Sequence, residues 1–539
     1  MLNRIAAAAL ALSASLVAIV AHAQDVDLDA LERDVTILAA DDMEGREAGT
    51  RGHERAAGYV AGRFAAMGLE PAGDGGTYFQ SVPMRRYAPT EDGNSLAIEG
   101  LGELELFEDY YVEGTAQQES GSITAPLVFI GYGLDLPDRD DFADVDLEGA
   151  VAIRVYGGPD SLNSEESAHF RSTLSKRLSD RGAVGMLLMT TPELEQIYSW
   201  DRLVEVSSHG SSMTWVGPDG RAHAEGPNIL ASGSLSPDLS RELLAGQEFD
   251  YDDLVAAEAT PEADLPSFAL GREITINFAS DFADIDTPNV IGMLPGSDPA
   301  VADEYIVLTA HLDHVGIQPT PEEGDDEIFN GALDNAVGVA SMIQVARMLG
   351  EEPPRRPVLV IALTAEEKGL LGSSYNAANP TVPAEQVVAN VNLDMPVATY
   401  DFADVVAFGA ERSNLNPQVE AAVEQFGLTL SPDPQPEQGF FTRSDQYSYV
   451  RRGVPAVYLD LGFANGGEEA QGLVFDQHYH EPSDEIDLVN FDALARFTAV
   501  NHAIARNVAN MAETPAWQAG DFFGTNFGGR ILGEAAGGE

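Results

Sequence analysis

YIVLTAH (305–311), VLVIALTAEE (358–367) and VVANVNLD (387–394) share one design. Each is a short apolar run rich in β-branched residues, the pattern of a strand buried on both faces of a parallel sheet. Each ends on side chains that can hold a metal or move a proton: His311, the pair Glu366 and Glu367, and Asp394. Ligands of open α/β sheets sit just beyond the carboxyl ends of the strands, so these groups are expected on one rim. Between the first two runs, NGALDNAVG (330–338) sets Asp334 at the mouth of a helix. A fourth run, VPAVYLDLG (454–462), leads to HYHEPSD (478–484), which carries His478 and His480. The collected groups are imidazoles and carboxylates without a thiol.

Outward from this core, the segment after Asp334 reads as a helix with Val337, Met342, Val345, Ala346 and Leu349 on one stripe. Another helix is expected at about 488–511. Residues 28–70 are helical in pattern, and the glycine-rich MEGREAGTRG (43–52) between the two helices reads as a simple connection. From 110 to 270 the texture changes to strand-like APLVFIGYGL (125–134), GAVAIRVYG (149–157) and AVGMLLMTT (183–191), with a polar helix at 164–182 and long polar loops. His169, His209 and His223 are scattered there and assemble no catalytic set. The expected class is α/β: a mixed, largely parallel sheet flanked by helices, formed by 24–109 and 271–515, with a smaller β-rich α/β domain inserted at 110–270. Residues 516–539, rich in glycine, are expected to form a loose tail.

A chain of 539 residues calls for more than one domain, and 44% apolar content supports real cores. Residues 1–23 have the pattern of a secretory signal: Arg4, an apolar stretch from Ile5 to Val20, then Ala21-His22-Ala23. Export to the periplasm or the extracellular space is the expectation, with no membrane span after cleavage. With no cysteine, disulfides, thiolate zinc sites and lipid attachment at the cleavage site are excluded. Acidic residues number 88 against 29 basic, a net charge of −59. Such a field repels nucleic acid and anionic membranes, so neither is an expected partner. The acidity reads either as adaptation to salt or as a compositional bias that also favours arginine over lysine, of which there are only Lys176 and Lys368.

The chemistry of the rim follows from its charge. Asp334, Glu366, Glu367 and Asp394 cannot all stay ionised side by side without cations. Nitrogen and oxygen ligands without sulfur suit zinc, ahead of manganese and cobalt. Two divalent ions with two Asp, one Glu and two neutral His leave a single positive charge, which suits a bound hydroxide, and the other Glu is free to shuttle protons. Such a centre polarises a carbonyl and stabilises a tetrahedral intermediate, which makes it a hydrolase centre suited to an amide bond. A serine hydrolase is disfavoured, since no G-x-S-x-G elbow is present.

HLDHVG (311–316), GALDNAVG (331–338), TAEEKGLLGS (364–373), NLDM (392–395) and YHEPSD (479–484) resemble, in order and spacing, the motifs of the zinc aminopeptidase and glutamate carboxypeptidase-like family, peptidase family M28. The resemblance covers most of the mature chain, and 110–270 resembles the protease-associated domain that many members carry. It implies two zinc ions: His311 and Asp394 on one, Glu367 and His480 on the other, Asp334 bridging. Glu366 would be the general base acting through a metal-bridging hydroxide, and the Asp313 carboxylate would accept the second ring N–H of His311.

The sequence departs from the family at TRSDQYSY (442–449), where Ser444-Asp445-Gln446 replaces a Ser-Asp-His step. Phe440, Phe441 and Thr442 occupy positions where relatives often place an oxyanion-stabilising tyrosine; Tyr447 and Tyr449 are nearby, with structural roles expected for both. The implied activity is a secreted di-zinc exopeptidase acting on peptides, read first as an aminopeptidase. The alternatives are a carboxypeptidase or dipeptidase of the same fold, for which Arg443, Arg451 and Arg452 could receive a substrate carboxylate, and a catalytically silent receptor-like protein.

Overall fold

The computed structural model describes residues 26–90, 92–137, 139–260, 264–319 and 326–533. The signal segment expected at 1–23 lies outside the described residues. The chain forms two compact units: one from residues up to Val82, Asp286–Pro436 and Phe440 onwards, the other from Pro83–Ile285 with Glu437–Gly439. Among the described residues no helix is long and apolar enough to cross a membrane.

The larger unit is built on a mixed sheet. Its strands are β1 (Phe268–Leu294, contributing residues 290–294), β2 (Tyr305–His311), β3 (Val358–Leu363), β4 (Val387–Asn392), β5 (Asp404–Phe408), β6 (Thr429–Leu430) and β7 (Ala456–Leu461). They lie in the order β6-β5-β7-β4-β2-β3-β1. β2 pairs in parallel with both β3 and β4, and β4 pairs in parallel with β7. β1 on β3 and β5 on β7 are antiparallel, so the expected mixed, largely parallel sheet is present.

Period-two alternation explains why these strands read as unbroken apolar runs. Ile306 and Leu308 of β2 and Val358 and Val360 of β3 join the larger core cluster, while Val307, Leu359, Ile361 and Leu363 belong to the cluster on the other face. The first cluster contains Leu31, Val35 and Leu38 of α1 (Leu28–Leu38), Val60 and Phe64 of α2 (Arg51–Met67), Val339 and Ile343 of α3 (Val337–Glu351), and Phe497, Val500 and Ile504 of the C-terminal helix Phe491–Ala509. Each such fully buried side chain contributes about 1.5–3 kcal/mol of hydrophobic stabilisation. Caps set the helix ends: Asp27 accepts from the Ala30 amide at α1, Thr50 from His53 at α2, and Gly68, at φ 79°, closes α2 in the left-handed conformation a side chain would disfavour.

The smaller unit has its own sheet, in which Ser120–Phe129, Val151–Arg154, Gly185–Met189 and Ala231–Leu235 run parallel. Tyr110–Val112 and residues 268–279 border it antiparallel. Helix Ser164–Asp180 covers one face through Leu174 and Leu178, packed with Val128, Ile130 and Ala152. The expected boundaries at 110 and 270 are both too narrow. Residues 84–87 pair with Ser212–Trp215, and Ser95–Ile98 pairs with 274–277, so strand pairing draws both flanks into the smaller unit.

Of the C-terminal stretch expected to be loose from 516, the described residues 516–533 are not. Trp517 and Phe523 are wholly buried, in a cluster with Phe408, Phe441, Tyr447 and Val450. The Trp517 indole donates to the Gly453 carbonyl at 2.8 Å. Aromatic area outweighs glycine content here.

Candidate metal centre

The strand ends converge as the parallel register requires. His311 is the last residue of β2, Glu366 and Glu367 follow β3, and Asp394 follows β4. Asp334 sits in the turn Ala332–Ala336 that opens α3, where its peptide bond to Asn335 is cis. His480 comes from the segment after helix Gly467–Gln477. Two groups of ligand-type atoms result, each drawn together within 4.8 Å: His311, Asp334 and Asp394; and His314, Asp334, Glu367 and His480.

Asp334 belongs to both groups and divides its oxygens between them. Its Oδ1 is 3.2 Å from His311 Nε2, and its Oδ2 is 3.2 Å from His480 Nε2. Asp394 Oδ1 is 2.9 Å from His311 Nε2. Glu367 places Oε2 3.0 Å from His480 Nε2 and Oε1 2.8 Å from His314 Nδ1. The His480 nitrogen makes no aligned hydrogen bond although it is buried and close to two carboxylate oxygens. Three carboxylates and three imidazoles aimed at shared points, with no lysine or arginine among them, fit divalent cations better than they fit one another.

Electrostatics agree with that fit. Burial works against charge on His311, yet the carboxylates of Asp394 and Asp334 outweigh it and hold the ring well above its ordinary pKa. His480 is raised to about 10, burial again opposed by Asp334 and Glu367. For Asp334, burial is outweighed by the His311 and His480 rings, each 3.2 Å from one of its oxygens, which hold it well below the usual carboxylate range. Glu366 behaves oppositely: burial pushes it well above the ordinary value, against the pull of His311. One glutamate of the pair is thus drawn into the cluster as a carboxylate while its neighbour retains a proton more readily.

His314, which the sequence offers only within the HLDHVG motif (311–316), stands beside Glu367; its spacing of three from His311 is the signal the sequence carries. The expected role of Asp313 needs correction. Its carboxylate is 4.0 Å from His311 Nδ1, which instead meets the Asp313 backbone carbonyl at 3.1 Å. The carboxylate accepts the amides of Glu366 at 3.0 Å and Glu367 at 3.3 Å. It therefore holds the turn that carries the glutamate pair, because that turn presents two otherwise orphaned N–H groups to a buried acceptor.

Other side chains support the rim in the same way. Asp484 accepts the amides of Leu333 and Asp334 at 2.9 and 3.0 Å. Asn335 accepts from Gly338 and Met395 and donates to the Leu393 carbonyl, tying the start of α3 to the segment bearing Asp394. The Ser444 hydroxyl donates to Asp394. Asn392 donates to both Ser444 Oγ and Gln446 Oε1 at 2.8 Å, and Gln446 donates to the Phe441 carbonyl. Gln446 is thus spent on fixing its own turn. Tyr447 packs in the aromatic cluster with Trp517, and Tyr449 donates to Asn376 at 2.8 Å, so both tyrosines serve the packing. Arg443 lies over the Phe440 ring at 5.6 Å and Arg451 over Tyr447 at 6.0 Å. His478 is turned to Ser483 at 2.8 Å and belongs to neither ligand group.

Residues 289–505 match the profile of peptidase family M28. Aminopeptidase Y of Saccharomyces cerevisiae is 28% identical over 264 residues, covering 46% of this chain and 44% of that protein. Leucine aminopeptidase 2 of Arthroderma otae is 27% identical over 257 residues, covering 45% and 49%. The chain therefore spans about half the length of the curated relatives it matches. Among solved structures, an aminopeptidase from Aneurinibacillus sp. strain AM-1 shares the fold with a TM-score of 0.50 at 19% identity, over 91% of this chain and 96% of that one.

Proposed function

We propose that residues 289–505, which match the profile of peptidase family M28, form a peptidase domain of that family, and that the protein is a zinc-dependent aminopeptidase that removes N-terminal residues from peptides. The observation that carries the proposal is the split of Asp334, one oxygen to each ligand group. Asp334 would bridge two zinc ions, with His311 and Asp394 on one side and Glu367 and His480 on the other; His314 is a further donor on the second side. Bound zinc would polarise the scissile carbonyl and acidify a water. Glu366, raised by burial, is suited to take a proton from that water and pass it to the departing amine. Ser444, itself held by Asn392, holds Asp394, and Asp313 holds the glutamate turn, so reacting groups are set before substrate arrives.

The relatives carrying aminopeptidase names support cleavage at the amino terminus, and the chain's net charge of −59 favours a substrate ammonium over a substrate carboxylate. Export by the 1–23 segment and a protease-associated identity for the inserted unit belong to the same reading. The test uses free and N-blocked peptides, with zinc and with a chelator, on the wild type and Glu366→Gln. Cleavage of free amino termini alone, lost on chelation and restored by zinc, is expected. Glu366→Gln should keep its zinc and lose about 10²–10⁴ in kcat. Cleavage of N-blocked peptides from their carboxyl end would replace the aminopeptidase reading with the carboxypeptidase one.

A further inference from the structure

Arg46 lies in the glycine-rich loop 43–52, far in sequence from every ligand, and is 1% exposed. Its guanidinium is devoted to main-chain carbonyls. Nη1 donates to Leu38 and Asn330 at 2.6 Å, Nη2 to Gly331 at 2.9 Å, and Nε to Leu312 at 2.9 Å. Leu312 stands between His311 and Asp313, while Asn330 and Gly331 open the turn that presents Asp334. One rigid fork thus joins the end of α1 to both ligand-bearing loops.

The loop is shaped to deliver that fork. Glu44, Gly45 and Arg46 are consecutive residues in the left-handed region, at φ 53°, 63° and 53°. A Cβ on Gly45 would come within 2.4 Å of the Gly316 carbonyl oxygen, so the loop presses directly on the segment after His314. Glu47 pairs with Lys368 at 2.9 Å, next to the glutamate pair. Burying a guanidinium is costly unless its donors are matched, and here the matching acceptors are the carbonyls that set the loop geometry.

We propose that Arg46 is a positioning residue of the metal centre, anchored on the Leu38 carbonyl and fixing the separation of the His311 turn from the Asp334 turn through its hydrogen bonds to the Leu312, Asn330 and Gly331 carbonyls. The inference rests on the metallopeptidase reading, and it gives a reason for a loop that sequence alone reads as a connection. Lysine cannot replace the fork: it brings charge on a flexible stem and cannot span the same carbonyls.

The test compares the full-length wild type with Arg46→Met, Arg46→Lys and a remote core variant, Val500→Ala. Zinc affinity is measured by competition with a chromophoric chelator, alongside the visible spectrum of the cobalt-substituted protein, thermal unfolding in chelator, and kcat and KM. Supports of ligand geometry typically change metal affinity by about 10–100-fold. Arg46→Met should lose affinity in that range, shift the cobalt bands and lower kcat with KM little changed, and Arg46→Lys should recover only part of the loss. Val500→Ala should unfold earlier yet bind zinc as the wild type does. Wild-type zinc affinity and spectrum in Arg46→Met, or in Arg46→Lys where the methionine variant does not fold, would overturn the proposal. Failure of both to fold in the presence of zinc would also overturn it, by assigning Arg46 to the fold alone. A wild type that binds no zinc would instead refute the metallopeptidase reading.

Discussion

The carboxylate of Asp313 offers a direct way to separate two accounts of the centre. If it orients His311, Asp313→Asn should disturb the His311–Asp394 side. In the structure it holds the amides of Glu366 and Glu367, and His311 is held by a backbone carbonyl that the substitution leaves in place. Burial, opposed by the charge on His311, pushes Asp313 up to about 7, so at pH 8 it presents two acceptor oxygens. An asparagine supplies one oxygen and turns an NH₂ toward a backbone N–H, leaving a buried donor unmet. That mismatch costs about 1–3 kcal/mol, or roughly 5- to 150-fold in an equilibrium that depends on the turn. The loss should fall on zinc bound at the Glu367–His480 side, and on kcat through Glu366. A chelator competition that resolves two binding steps, run at pH 8, reads this directly. The reasoning is refuted if the His311–Asp394 step weakens while the Glu367–His480 step keeps its affinity.

Two further outcomes probe the units separately. Trp517→Ala should lower the stability of the larger unit by about 3–5 kcal/mol through the cavity it leaves, seen as a lower urea midpoint; a change below about 1 kcal/mol would restore the loose-tail reading. In the smaller unit, burial and then the charge of Glu193 push Glu258 up to about 7. A raised folded value means that stability is full below the unfolded value of about 4.3 and is lost as pH rises toward 7. Glu258→Gln should therefore stabilise by about 1–2 kcal/mol at pH 8, a figure reduced for partial exposure, and by much less at pH 5. An equal effect at both pH values would remove charge as the cause.

Much of the site was legible because its strands are apolar on both faces and end on ligand-type residues. A buried parallel strand leaves that mark wherever it occurs, and His311, Glu367 and Asp394 stand at such ends. Asp334 and His480 were legible from the family motifs that carry them. The partner of the Asp313 carboxylate was not, since it is a pair of backbone amides supplied by a turn 53 and 54 residues away. Arg46 was hidden for the same reason: carbonyl partners carry no side-chain signature. The unit boundaries depend on pairings such as 95–98 with 274–277, which no local pattern encodes. At the C-terminus, Trp517, Phe522, Phe523 and Phe527 were visible as aromatic residues and were outweighed by the surrounding glycines.

Metal content bears on the account most directly. After zinc loading and exhaustive dialysis, elemental analysis of the wild type should give two zinc ions per chain, and Asp334→Ala should give fewer than one. A variant that still holds two, or a wild type that holds only one, would contradict a centre organised on a shared carboxylate.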